Sequence, residues 1–266
     1  MVLHIGDVVE AMNAIYPLET AESWDKPGFT VGDPSAVVSS ILFAVDPCEA
    51  TISEACERGA QLLITHHPLF LHGVNYIAET SAKGHWVAQM YRHGVAHYSA
   101  HTNADVKHST LALADLFGVQ IDRVLDEQTG LGGVGHLSAP ERLADFARRV
   151  ADALPQVPAG VLVGGDPDAM VSRVAICSGS GDSLLEAANS SGADVYVTAD
   201  IRHHPATDHL WNHGCAIINA THWATEWPLL GMMRAALRDY LVQAGLEVPT
   251  MEISTQPTDP WTIALR

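Results

Sequence analysis

The chain is short of positive charge: 14 lysines and arginines stand against 31 aspartates and glutamates, for a formal net charge of −17. Such a field repels nucleic acid and anionic membranes and concentrates cations. Cysteine is scarce too. Cys48, Cys56, Cys177 and Cys215 show no C-x-x-C spacing, which argues against a disulfide framework and for buried, reduced thiols. No apolar run approaches the roughly 18–20 residues that span a bilayer. The first residues carry Asp7 and Glu10 with no basic stretch before them, unlike a secretory signal. Neither G-x-x-x-x-G-K-[ST] nor G-x-S-x-G occurs, which argues against a P-loop nucleotidase and a serine hydrolase. These absences predict a soluble, cytoplasmic protein with a small-molecule substrate and no membrane or nucleic-acid partner.

What remains is a globular composition. The 266 residues are 47% hydrophobic with a mean hydropathy of +0.09, enough to bury a sizeable core in one large domain or two lobes. After an amphipathic helix over 5–15, the spacing predicts strands over 41–45, 60–65 and 95–100 and helices over 49–58, 81–92 and 109–117. A second series follows, with strands over 171–177, 193–198 and 215–220 and helices over 141–154, 182–190, 207–212 and 227–244. Trp24, in a turn before a short strand, reads as a core anchor.

The two series echo each other. "RGAQLLIT" matches "SGADVYVT", and "YRHGVAHYSAH" matches "WNHGCAIINATH", in the same order. This predicts an internal duplication: two related α/β lobes with mostly parallel sheets, residues 1–125 and 126–266, with C-terminal elements able to pack on the first lobe.

The chemistry-bearing residues follow the strands. His66 and His67 come straight after one, and His101 and His222 each follow another. Asp105 and Glu226 stand four residues beyond those last two. One helical turn brings positions i and i+4 to about 5–6 Å between Cβ atoms. Imidazole nitrogen with carboxylate oxygen suits divalent zinc, manganese or iron. Six such groups exceed the needs of one tetrahedral ion, so the pattern predicts two metal ions. In α/β folds ligands gather at the carboxyl ends of strands, which is where all these residues fall. That predicts that they converge in space.

Two further groups have open alternatives. His203 and His204 read either as acid–base groups lining a substrate cleft or as a solvent-facing pair at a helix start. Gly179-Ser180-Gly181, between strand and helix, reads as a phosphate or anion cradle or simply as a tight turn.

The ordered set "SWDKPGFTVG", "THHP", "HTNAD", "GSG", "THWATE" and "DPWTIAL" resembles the family labelled GTP cyclohydrolase 1 type 2 homologue, also called NIF-three-like, over nearly the whole chain. Ala199 and Ala104 are small departures from its pattern. The resemblance implies two α/β lobes with a dinuclear metal site in the cleft between them, a toroidal homohexamer, and metal ligands at His66, His67, Asp105, His222 and Glu226, with His101 beside them as a further ligand or catalytic group. It implies a metal-dependent hydrolase acting on a nucleotide or related small molecule through a metal-bound water. The alternatives are a non-catalytic metal-binding scaffold and a metal-dependent phosphoesterase.

Overall fold

In the computed structural model, which describes residues 2–265, the buried apolar runs become the strands of two sheets in an α/β fold. Contacts divide the chain into two units, Met1–Ala104 with Leu230–Thr258, and Asp105–Leu229 with Asp259–Arg266.

The first unit opens with α1 (Ile5–Ile15), which buries Ile5, Val8, Ala11, Met12 and Ile15 at helical spacing. Its sheet comprises β1 (Gly28–Val31), β2 (Ser40–Ala44), β3 (Leu62–Thr65), β4 (Ala96–Ser99) and β11 (Thr250–Ile253), in the order β1-β4-β3-β2-β11. All neighbours run parallel except β1, an antiparallel edge on β4. Every residue of β3 and β4 is buried, as strands covered on both faces must be. Helices α2 (Glu49–Glu57) and α3 (Ala82–His93) make the crossovers. They set Ile52, Ala55, Val87 and Met90 against Leu42, Ala44 and Leu63. Each fully buried large aliphatic there contributes roughly 1.5–3 kcal/mol. The one-turn α4 (Thr102–Ala104) follows β4.

The second unit contains α5 (Thr110–Phe117), β5 (Val119–Val124), β6 (Gly133–Arg142), α6 (Leu143–Ala153), β7 (Leu162–Gly164) and β8 (Met170–Ser180). Next come α7 (Leu185–Ser190), β9 (Val195–Ala199), α8 (His203–Trp211), β10 (Ala216–Ala220) and the start of α9 (His222–Gln243). The strand order is β5-β6-β8-β9-β10-β7. Only β8, β9 and β10 are mutually parallel, so this sheet is mixed rather than mostly parallel. The antiparallel parts are the β5–β6 hairpin, which joins β8 antiparallel, and the edge strand β7 on β10. Gly130-Leu131-Gly132-Gly133-Val134-Gly135 spells a dinucleotide-type glycine pattern, but it lies in that hairpin rather than between a strand and a helix.

Both units repeat one topology. The run α1-β1-β2-α2-β3-α3-β4 corresponds to α6-β7-β8-α7-β9-α8-β10. The strand orders β1-β4-β3-β2 and β7-β10-β9-β8 correspond as well, each with an antiparallel edge strand. Agreement in order and direction supports duplication. Among the described residues no helix is long and apolar enough to cross a membrane.

Candidate metal centre

In the first unit, parallel strands β2, β3 and β4 end side by side, since Ala44 pairs with Thr65 and Thr65 with Ser99. The residues just beyond those ends therefore meet. His66 and His67 follow β3, His101 follows β4 and Asp46 follows β2. One ligand atom from each of the three histidines lies within 4.8 Å of the others, and their ring centroids are 4.9–5.3 Å apart. His66 is fully buried.

Each ring is held from behind. His66 Nδ1 lies 3.0 Å from the carbonyl oxygen of Ala100, His67 Nδ1 2.7 Å from Asp46 Oδ1, and His101 Nδ1 3.0 Å from Asp25 Oδ1. A carbonyl or carboxylate oxygen only accepts, so Nδ1 carries the proton and Nε2 is the nitrogen with a lone pair to offer. Asp25 is itself fixed: its Oδ2 accepts from the Thr102 backbone N–H (3.1 Å) and hydroxyl (2.7 Å). Burial would raise the Asp25 pKa, but hydrogen bonds from His101 and Thr102 outweigh it and hold the carboxyl far below its usual range. Asp46 takes the Thr258 hydroxyl on its other oxygen.

In the second unit the same strand ends carry His222, Asp200 and Gly179. The helix α9 begins at His222, five residues before the expected start, and Pro228 lies inside it. Proline is favoured at a first helical position, which explains the misplaced boundary. The consequence is chemical: His222 and Glu226 occupy the first turn, with Nε2 and Oε1 2.9 Å apart. His222 Nδ1 lies 2.7 Å from Asp200 Oδ2. Asp200 reaches it from a left-handed backbone conformation, φ 56°, which Asp adopts more readily than most residues. Burial opposes a charge on His222, but Glu226 and Asp200 prevail and push its pKa up to about 11.

Glu226 is 4% exposed. The Thr225 hydroxyl donates to the His222 carbonyl (2.8 Å) and accepts the Gly179 N–H (2.9 Å), which docks the helix start on the end of β8. Gly179 has φ +60°, and a Cβ there would stand 2.4 Å from Glu226 Oε1. Asp105 opens a π-helical turn, Asp105–Ser109, whose Ser109 hydroxyl meets that of Ser178 on β8. Burial, with the charges of Asp105 and Glu226, pushes the Cys177 thiol up to about 12, so both acids act on this strand end.

The remaining candidates differ in setting. His203 and His204 are exposed in the first turn of α8, ring centroids 5.2 Å apart, and belong to no cluster of three or more donor atoms among the described residues. Ser180 is the last residue of β8, and the N–H groups of Gly179 and Gly181 already donate to Thr225 and Ala199. Close packing accounts for both glycines, since a Cβ on Gly181 would meet the Thr198 and Tyr196 hydroxyls at 2.1 and 2.2 Å. Trp24 is not in the core: it is 54% exposed, its ring 5.9 Å from that of His101. Asp25, Asp46 and Asp200 went unnoticed in the sequence. Their one signal is placement, Asp46 and Asp200 directly past strand ends and Asp25 before β1.

Fold and donor sets together define a duplicated α/β protein with histidine–carboxylate groups able to hold a metal ion. The chain belongs to the Duf34/NIF3 (NGG1p interacting factor 3) family, whose profile matches residues 3–259. It is 39% identical to a Streptomyces coelicolor protein called GTP cyclohydrolase 1 type 2 homolog, over 97% of this chain and 93% of that one. A Mycobacterium leprae protein of the same name is 30% identical, over 100% and 97%. Among solved structures, a Bacillus cereus protein related to NIF3 superposes with a TM-score of 0.90 at 22% identity, over 99% of both chains. A Staphylococcus aureus hypothetical protein gives 0.87 at 26% identity, over 99% of this chain and 100% of that one.

Proposed function

We propose that this protein is a dinuclear-metal-dependent hydrolase acting on a nucleotide or related small molecule. One ion would be held by His66, His67 and His101, and the other by His222 and Glu226, with Asp105 as a further ligand. The observation that carries the reading is the treatment of Nδ1: all four histidines have it tied to a carboxylate or carbonyl oxygen. Metal-ligating histidines show this arrangement almost without exception, because it fixes tautomer and ring orientation and raises ligand basicity. Nε2 of His222 and Oε1 of Glu226, 2.9 Å apart, are spaced like neighbouring ligand atoms on one ion bonded at about 2.0–2.2 Å.

Divalent ions bound there would lower the pKa of a water and supply positive charge at an electrophilic carbon or phosphorus. The chain's own part is to orient the donors and to hold the Glu226 and Asp105 carboxylates near that point. The name shared by the Streptomyces and Mycobacterium relatives, GTP cyclohydrolase 1 type 2 homolog, favours a nucleotide substrate. Four free cysteines favour a reducing, cytoplasmic setting. The homohexamer belongs to the same proposal and is checked by light scattering after size exclusion.

The test is hydrolysis of a nucleotide panel by protein stripped with chelator and then reloaded. Activity should vanish and return with metal, and His67→Ala and Glu226→Ala should lose metal and turnover together. Turnover that survives complete metal removal would end the proposal.

A further inference from the structure

Trp24 is the large side chain whose position the donor geometry leaves unexplained. Its indole is more than half exposed, whereas Trp223 is 5% exposed. Mobility does not account for that exposure. The turn carrying Trp24 is clipped to the start of α4: the Glu22 N–H donates to Thr102 Oγ1 (2.9 Å), and Thr102 donates twice to Asp25. Asp25 also holds His101, and the Asp25 N–H donates to the Glu22 carbonyl (2.9 Å). The indole and one candidate ligand are thus mounted on the same frame. The rings meet edge to face, interplanar angle 78°.

We propose that Trp24 is a stacking wall for a planar heteroaromatic ligand, setting the ring system of that ligand beside the His66/His67/His101 group. Indole offers a broad π face, and aromatic stacking tolerates any flat base while rejecting aliphatic groups of similar charge. Position and rigidity together argue for this role. A surface tryptophan needs no hydrogen-bonded mount, and a core tryptophan would not be 54% exposed. The inference rests on the metal reading for its site but names a residue, and the part of the ligand it holds, that the reading does not.

The test uses the full-length protein loaded with Mn2+, titrated calorimetrically with GMP, UMP, FMN and ribose 5-phosphate, alongside Trp24→Ala, Trp24→Phe and Trp211→Ala. Trp211, on α8, is an exposed indole (74%) that serves as control. At least one base-bearing probe should bind wild type more tightly than ribose 5-phosphate does. Trp24→Ala should weaken that probe by about 10-fold or more, Trp24→Phe by under about 3-fold, and Trp211→Ala not at all. Binding of ribose 5-phosphate should stay unchanged throughout.

Equal binding by wild type and Trp24→Ala would overturn the proposal. So would a wild type with no preference for any base-bearing probe, or a Trp24→Ala variant altered only in oligomeric mass. Metal content, measured on every sample, separates the two claims. Full metal with no Trp24 effect defeats this inference alone. Trp24-dependent binding by a protein that takes up no metal defeats the hydrolase reading alone.

Discussion

Removing the Asp46 charge should weaken metal binding without unfolding the protein. Asp46 Oδ1 lies 2.7 Å from His67 Nδ1, and the two side chains are 31% and 21% exposed. A hydrogen bond to a charged group contributes about 1.5–3 kcal/mol to stability, and partial exposure argues for the lower end. Replacing such a carboxylate behind a ligating histidine typically costs 10–100-fold in metal affinity. Asp46→Asn keeps an oxygen acceptor for Nδ1 but not the charge, so about 10-fold is expected, near 1.4 kcal/mol. Thr258→Val removes the hydroxyl that donates to the other Asp46 oxygen while sparing the charge, and should change affinity by less than about 3-fold. Competition against a chromogenic chelator measures both variants, with thermal unfolding of the metal-free proteins as the folding check. An Asp46→Asn variant that folds normally and binds metal as wild type does would refute the reasoning that Nδ1 partners exist to orient ligands.

Three other perturbations have worked-out signs. Gly179→Ala would put a methyl 2.4 Å from Glu226 Oε1 at φ +60°. It should cost more in urea unfolding than the roughly 1–2 kcal/mol of a left-handed backbone alone and lower metal content, while Gly192→Ala, also at positive φ but in open space, should cost only that backbone part. Burial pushes the His97 pKa down to about 3, so the folded protein keeps it neutral while the unfolded chain protonates near 6.5. Its contribution is present above pH 6.5 and lost as pH falls, by about 2 kcal/mol between pH 7 and 5. His97→Gln should flatten that slope in urea titrations, and an unchanged slope would contradict the assignment. His222, with its pKa near 11, is protonated at neutral pH in the metal-free protein. Metal uptake should therefore release protons, seen as a dependence of calorimetric heat on buffer ionisation enthalpy, and affinity should rise with pH.

Much of this molecule was legible because its central strands are continuous apolar runs. "QLLIT" and "AIINA" announce buried parallel strands, and the first residues after each, His66-His67 and Thr221-His222, lie where an α/β fold collects ligands. The strands that escaped notice lack that signature. β6 carries Gly133, Gly135, His136, Ser138 and Pro140 within ten residues, and β11 is four residues long. The start of α9 was obscured by Pro228, a residue that ordinarily marks the beginning of a helix rather than its second turn. Trp24 departs from the core position its sequence suggests because hydrophobicity says that an indole prefers burial and says nothing of a clipped turn that keeps it out. The three aspartates behind the histidines were beyond sequence reasoning. Each is a lone acid among 31 acidic residues, and only the pairing of neighbouring strand ends shows that it faces an imidazole.

The central claim is that two donor sets, His66/His67/His101 and His222/Glu226 with Asp105, hold metal. Elemental analysis of the purified chain, with Glu226→Ala and His67→Ala beside it, tests this most directly. Two divalent ions per chain in wild type, falling by at least one in each variant, is the expected result. A wild-type protein that stays metal-free after incubation with zinc, manganese and iron would contradict it.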